Sequence, residues 1–160
     1  MSSELPPLTH LDEQGNARMV EIGHKPVTRR SATAEAWIRL GPEALARVRS
    51  GRSAKGDILG VAQIAAIQAA KRTGELIPLC HPLPLDGVDV HFEIHDAGVR
   101  VEATARCTGR TGVEMEALTA CSVAGLTVID MLKAIDRTLR IDGVRLLAKS
   151  GGTRGDWRAE

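Results

Sequence analysis

From Thr28 to Leu40, small or apolar side chains fall on alternate positions (Ala32, Ala34, Ala36, Ile38, Leu40), with Thr33, Glu35 and Arg39 between them. A period of two lets a strand turn one face to a core and the other to water. The alternation returns at Val88, Val90, Phe92 and Ile94, breaks at His95-Asp96-Ala97-Gly98 and resumes through Val99, Val101, Ala103 and Ala105, which predicts a β-hairpin. Elsewhere the period lengthens. Ile58, Val61, Ile64, Ala65 and Ile67 recur at threes and fours behind Asp57, an N-cap candidate, and the pattern closes at Lys71-Arg72-Thr73-Gly74, so a helix is expected there. Helix formers from roughly Val113 to Arg137 predict a second, longer helix.

Weaker signals fill the gaps. Gly41-Pro42-Glu43 puts proline in the first turn of a short helix that Gly51 would close. A last strand is expected at about Val144 to Lys149, and residues 17 to 22 read as a short edge strand. Pro78, Pro82 and Pro84 make the stretch from Glu75 to Leu85 a defined irregular loop, because proline excludes helix and removes ladder donors. Without the early strand and the short helix, the order is strand, helix, strand, strand, helix, strand. That is an α+β fold with a ferredoxin-like βαββαβ core, its helices packed on one face of an antiparallel sheet. Residues 1–16 are polar, proline-bearing and without period, a flexible N-terminal leader. Residues 17–149 form the single domain, and residues 150–160 a glycine-rich C-terminal tail.

Composition narrows the function. A chain of 160 residues with 43% apolar side chains builds one core. A net charge of +1 gives no chain-wide field to recruit nucleic acid or membrane, so any anion site must be local. Three aromatics (Trp37, Phe92, Trp157) leave almost no platform for stacking bases. The longest apolar stretches are short and interrupted, so no membrane span is expected. Cys80, Cys107 and Cys121 are odd in number and never two or three apart, which reads as reduced thiols in a cytoplasmic protein and no zinc site.

Sixteen arginines against five lysines make each lysine worth asking about, since only lysine exchanges a proton near neutral pH once buried. Lys55 precedes a helix N-terminus, where an anion is favoured, although the Walker spacing is missing. Asp130 and Lys133 share a helix face; a surface ion pair is the plain reading, and the apolar residues around them, which make two charges costly, favour function. Cys80-His81-Pro82 lies in the rigid proline loop, where an imidazole can be aimed. His91 and His95 would sit about 13 Å apart on a strand, too far to share a metal. Glu114-Met115-Glu116 opens the long helix, where carboxylates complement the dipole or accept from the donor edge of a heterocycle. On one straight helix Glu116 and Asp130 are about 21 Å apart, so they can line one site only if a second subunit supplies one of them or if the first residues of the segment are not helical. The small residues from Thr119 to Gly125 let helices approach closely enough for that. Lys149-Ser150-Gly151-Gly152-Thr153-Arg154-Gly155 offers a lysine, two hydroxyls, an arginine and open glycine backbone to phosphate, or is simply a loose tail.

Several of these runs together resemble the MoaC family of molybdenum cofactor biosynthesis, the cyclic pyranopterin monophosphate synthases. The most specific are Lys55-Gly56-Asp57, Ile67 through Thr73, Ile77-Pro78-Leu79-Cys80-His81-Pro82-Leu83, Thr108 through Ala120, and Val144 through Gly152. The resemblance runs from Leu8 to Gly152. It implies a phosphorus–oxygen lyase that acts on a cyclic dihydroguanosine triphosphate made from GTP by a radical enzyme. The purine skeleton opens and re-closes, the α-phosphate cyclises and pyrophosphate leaves. It implies a homohexamer, a trimer of dimers, with each site at a dimer interface. No resident metal or cofactor is expected, although Mg²⁺ can accompany the triphosphate. Asp130, Lys133 and Lys55 correspond to catalytic positions. Leu79, Cys80, His81, Glu114, Met115 and Glu116 correspond to substrate-holding ones, and Arg30 and Lys149 to cations for the triphosphate. The rival from another class is a non-catalytic nucleotide-sensing module, which would bind without turnover.

Overall fold

A computed structural model describes residues 9–51, 56–153 and 155–160. Five strands, β1 (Thr28–Arg39), β2 (Gly87–His95), β3 (Gly98–Gly109), β4 (Arg140–Ser150) and β5 (Trp157–Arg158), form one antiparallel sheet in the order β2-β3-β1-β4-β5. The helices are α1 (Pro42–Arg49), α2 (Ile58–Lys71), α3 (Thr73–Leu76) and α4 (Glu114–Leu132). The first four strands with α2 and α4 reproduce the ferredoxin-like core.

The alternation in β1 does what the pattern predicts. Ala32, Ala34, Ala36 and Ile38 lie within the core, paired in register with Ala105, Ala103, Val101 and Val99 of β3. So many alanines leave room for α4 to lie close against the sheet, and its Ala117, Ala120, Cys121, Ala124 and Val128 are buried there. Cys121 donates its thiol to the Ala34 carbonyl at 3.3 Å, and burial pushes that thiol up to about 12, so it is inert. By length and apolarity α4 could cross a membrane, but half of it is buried in this protein, which accounts for its composition.

The opposite face of the sheet is polar. Glu35 is 5% exposed yet charged: burial opposes ionisation, and Arg100 at 2.6 Å with Arg145 at 2.7 Å outweighs it, holding the carboxyl below its ordinary range. Arg100 also bridges to Glu102 at 2.6 Å, so two carboxylates paired across β1 and β3 share one guanidinium.

Three boundaries differ from expectation. Residues 17 to 22 form no edge strand; Ala17 makes a single bridge to Leu11, while Val20 and Ile22 turn their side chains to a cavity instead of a ladder. The long helix stops at Leu132 rather than Arg137, because Asp136 accepts from Gly41 N and from Thr138 and draws the chain into a turn. The last strand therefore starts at Arg140. Beyond it, Trp157–Arg158 adds a short edge strand to β4 that composition did not foretell.

Candidate functional site

The topology brings three chain segments together at one end of the sheet. Thr28, at the start of β1, pairs with Gly109, at the end of β3, and Ser31 pairs with Ser150, at the end of β4. The N-terminus of α4 and the proline loop close the sides. Between them lies a cavity of about 690 Å³, large enough for a nucleotide-sized ligand.

The loop is held by its own turn and by close packing. Cys80 N donates to Ile77 O at 3.0 Å, and Gly74 lets the backbone of Pro82 approach to where a Cβ would be pressed. Leu79, Cys80 and His81 thereby line the cavity. Across from them, Arg30 donates through Nε to Gly109 O at 3.1 Å, pinning the turn that leads into α4. Gly152, at φ +83°, lies against the Arg30 guanidinium where any side chain would collide. Lys149 forms an ion pair with Glu114 at 3.2 Å.

Glu116 is the unusual group. It is 4% exposed, lines the cavity, and has no other side chain hydrogen-bonded to it among the described residues. Burial pushes its carboxyl up to about 7; its own backbone N–H works the other way, and the Glu114 charge adds to the rise. Near neutral pH it can carry a proton or release one. The Cys80 thiol is raised by burial and then by the Glu116 charge. Among the described residues, four cations (Lys25, Arg30, Arg110, Lys149) and two carboxylates thus line the cavity, one carboxylate half-protonated near pH 7. The balance favours an anionic ligand.

Eight of the predicted site residues, Arg30, Leu79, Cys80, His81, Glu114, Met115, Glu116 and Lys149, meet in this one cavity. Asp130 and Lys133 do not. They form an exposed ion pair at 2.6 Å near the other end of α4. Lys55 lies outside the described residues. Among those described, no three histidine, cysteine or acidic side chains gather to hold a metal ion. Thr153, from the run after Lys149, lines the cavity as well, and so do Lys25, Arg110, His10 and Ser31, to which the sequence assigns no separate role. The scarcity of lysine that marks Lys55, Lys133 and Lys149 applies equally to Lys25, and Arg110 lies within the run from Thr108 to Ala120 that carries the family resemblance.

Residues 19–152 match the model of the MoaC family. A relative from Chloroflexus aggregans, named cyclic pyranopterin monophosphate synthase, is 54% identical over all of this chain and 98% of its own. Another of that name, from Thermomicrobium roseum, is 57% identical over 96% of this chain and 93% of its own.

Proposed function

The chain belongs to the MoaC family, and from that premise we infer that it catalyses the step its relatives are named for, the formation of cyclic pyranopterin monophosphate in molybdenum cofactor biosynthesis. Its substrate is a nucleotide-derived small molecule, read here as the cyclic dihydroguanosine triphosphate. The observation that carries the reading is the cavity itself, which four cations and a buried carboxyl poised near pH 7 line together.

When the α-phosphate cyclises, a sugar hydroxyl oxygen bonds to the α-phosphorus as the bond to the β-phosphate breaks. The hydroxyl proton passes to a base, and pyrophosphate leaves with the bonding electrons. Opening and re-closing the purine skeleton moves further protons. The protein must therefore neutralise phosphate charge and exchange protons near neutral pH. In this reading Arg30 and Lys149, joined by Lys25 and Arg110, take the triphosphate. Leu79, Cys80, His81, Glu114 and Met115 hold the heterocycle, and Glu116 holds or gives a proton beside it. Asp130, Lys133 and Lys55 are the proton-transfer groups, reaching the cavity of a second copy. No resident cofactor is invoked, and Mg²⁺, where present, arrives with the substrate.

Support for a second copy comes from two sides. The length of α4 separates Glu116 from Asp130, and Val61, Ile64 and Leu126 leave apolar surface exposed on α2 and α4. A homohexamer built as a trimer of dimers is the assembly proposed. The three cysteines are unpaired, which fits a reducing cytoplasm.

Incubation with freshly prepared cyclic dihydroguanosine triphosphate, followed by mass spectrometry, should show the cyclic phosphate product and one pyrophosphate per turnover. Bound but intact substrate would instead make the protein a nucleotide sensor. Asp130→Asn should abolish turnover while leaving the melting temperature nearly unchanged, because an exposed ion pair contributes about 1 kcal/mol at most. Near-normal activity in that variant would remove Asp130 from the mechanism.

A further inference from the structure

Residues 9–27 cross the cavity without joining the fold. They contain no helix and no ladder beyond the Leu11–Ala17 bridge, and none of their side chains is fully buried. Their backbone hydrogen bonds are to one another: Asp12 N to Asn16 O at 2.9 Å, Arg18 N to His10 O at 2.9 Å, and Lys25 N to Ile22 O at 3.0 Å. The Asp12 carboxylate accepts from the amides of Gln14 and Asn16, again within the segment. Val20, Ile22 and Lys25 are half-buried, and all three rest on the cavity, as does the exposed His10.

Among the described residues, one hydrogen bond enters this segment from the rest of the protein. Arg110 Nε donates to Lys25 O at 3.1 Å. Arg110 is exposed and lines the same cavity, and its two Nη groups make no hydrogen bond among the described residues. A segment with so little buried apolar surface and one tether opens at low free energy. What lies beneath it then decides how often it is closed.

We propose that residues 9–27 are a lid over the cavity and that Arg110 is its positioning residue, holding Lys25 through the Lys25 carbonyl so that both cations close on the polyphosphate end of the ligand. Arg110 can serve both sides of the seam because a guanidinium carries separate donors in a fixed fork, Nε for the carbonyl and Nη for phosphate. Phosphate oxygens shared by Arg110 and the Lys25 ammonium add charge-assisted bonds across the seam, so binding closes the lid. Departure of pyrophosphate removes those bonds and opens it. The identity of the polyphosphate rests on the function proposed above; the lid itself requires only an anion of that class.

The test is hydrogen exchange of the full-length protein with inorganic pyrophosphate as the probe. Pyrophosphate should slow exchange at the amides of Val20 to Lys25 by about tenfold, the worth of one charge-assisted bond. In Arg110→Ala that slowing should vanish while exchange in β1, β3 and α4 stays as in the parent, which shows the variant is folded. Arg110→Lys keeps the charge but not the fork and should recover part of the slowing. In turnover, Arg110→Ala should raise KM about tenfold with kcat within about twofold, a split that general destabilisation does not produce. Exchange in residues 9–27 that ignores pyrophosphate, or that responds equally in parent and Arg110→Ala, overturns the lid. Turnover by the parent, measured alongside, separates the two readings: product without slowing leaves the proposed function standing, and slowing without product supports the lid and removes that function.

Discussion

Glu116 and Asp130 stand on the same helix, α4, fourteen positions apart, so the helical rise holds them about 21 Å from each other. Glu116 lines the cavity and Asp130 does not. If both serve one reaction, they come from different copies of the chain. That arrangement is testable by complementation. Glu116→Gln and Asp130→Asn, each inactive alone, should regain activity when refolded together. Random pairing makes half the dimers hybrid, each with one intact site, so about a quarter of the parent activity is expected. A mixture as inactive as its components would place both residues' roles within one chain or remove one of them.

Gly152 tests the cationic wall. At φ +83° it lies against the Arg30 guanidinium, which Gly109 O holds in place, so Gly152→Ala should both strain the backbone and displace Arg30. Gly143 also has a positive φ, +118°, but nothing lies within 4 Å of where its Cβ would be. Both alanine variants should lose about 1 kcal/mol or more in denaturant titration from backbone strain. Only Gly152→Ala should also weaken pyrophosphate binding, by about tenfold in a calorimetric titration. Equal affinities in the two variants would show that Arg30 does not hold phosphate.

How much of this was legible in the sequence depended on whether a signal was local. The alternation from Ala32 to Ile38 and the cap at Asp57, whose Oδ1 accepts from Gly60 N at 3.1 Å, are set by near neighbours, and both elements form where predicted. Asp136 ends α4 early through a local turn with Thr138 and a contact with Gly41, 95 residues away, and no window along the chain could register the second. The site divides the same way. Cys80-His81 and Glu114-Met115-Glu116 are conspicuous as runs, and the fold brings them to one cavity. Lys25 and Arg110 acquire meaning only because residues 9–27 fold back over the end of the sheet. The raised pKa of Glu116 is likewise a property of burial, invisible in a residue that reads as an ordinary carboxylate in a first helical turn.

That pKa makes the stability of the protein depend on pH in a defined window. The Glu116 carboxyl titrates near 4.5 in an unfolded chain and near 7 in the folded one, chiefly because burial disfavours its charge. Between those values the folded state binds the extra proton, so the contribution of Glu116 to stability is fully present below the lower value and declines as pH rises through the upper one. Glu35 acts in the opposite sense and lower down: its folded pKa is depressed, so its contribution is lost only as pH falls below the ordinary carboxylate range. The two windows do not overlap. Glu116→Gln should therefore flatten the decline between about pH 5 and pH 8 and melt a few degrees above the parent at the upper end. Pyrophosphate affinity should follow the same proton, falling in the parent as Glu116 ionises beside the anion and holding steadier in Glu116→Gln. Differential scanning calorimetry at several pH values decides the first point. Parallel melting curves for the two proteins across the whole range would mean that Glu116 titrates as an ordinary carboxylate, and its place as a proton carrier near neutral pH would fall with it.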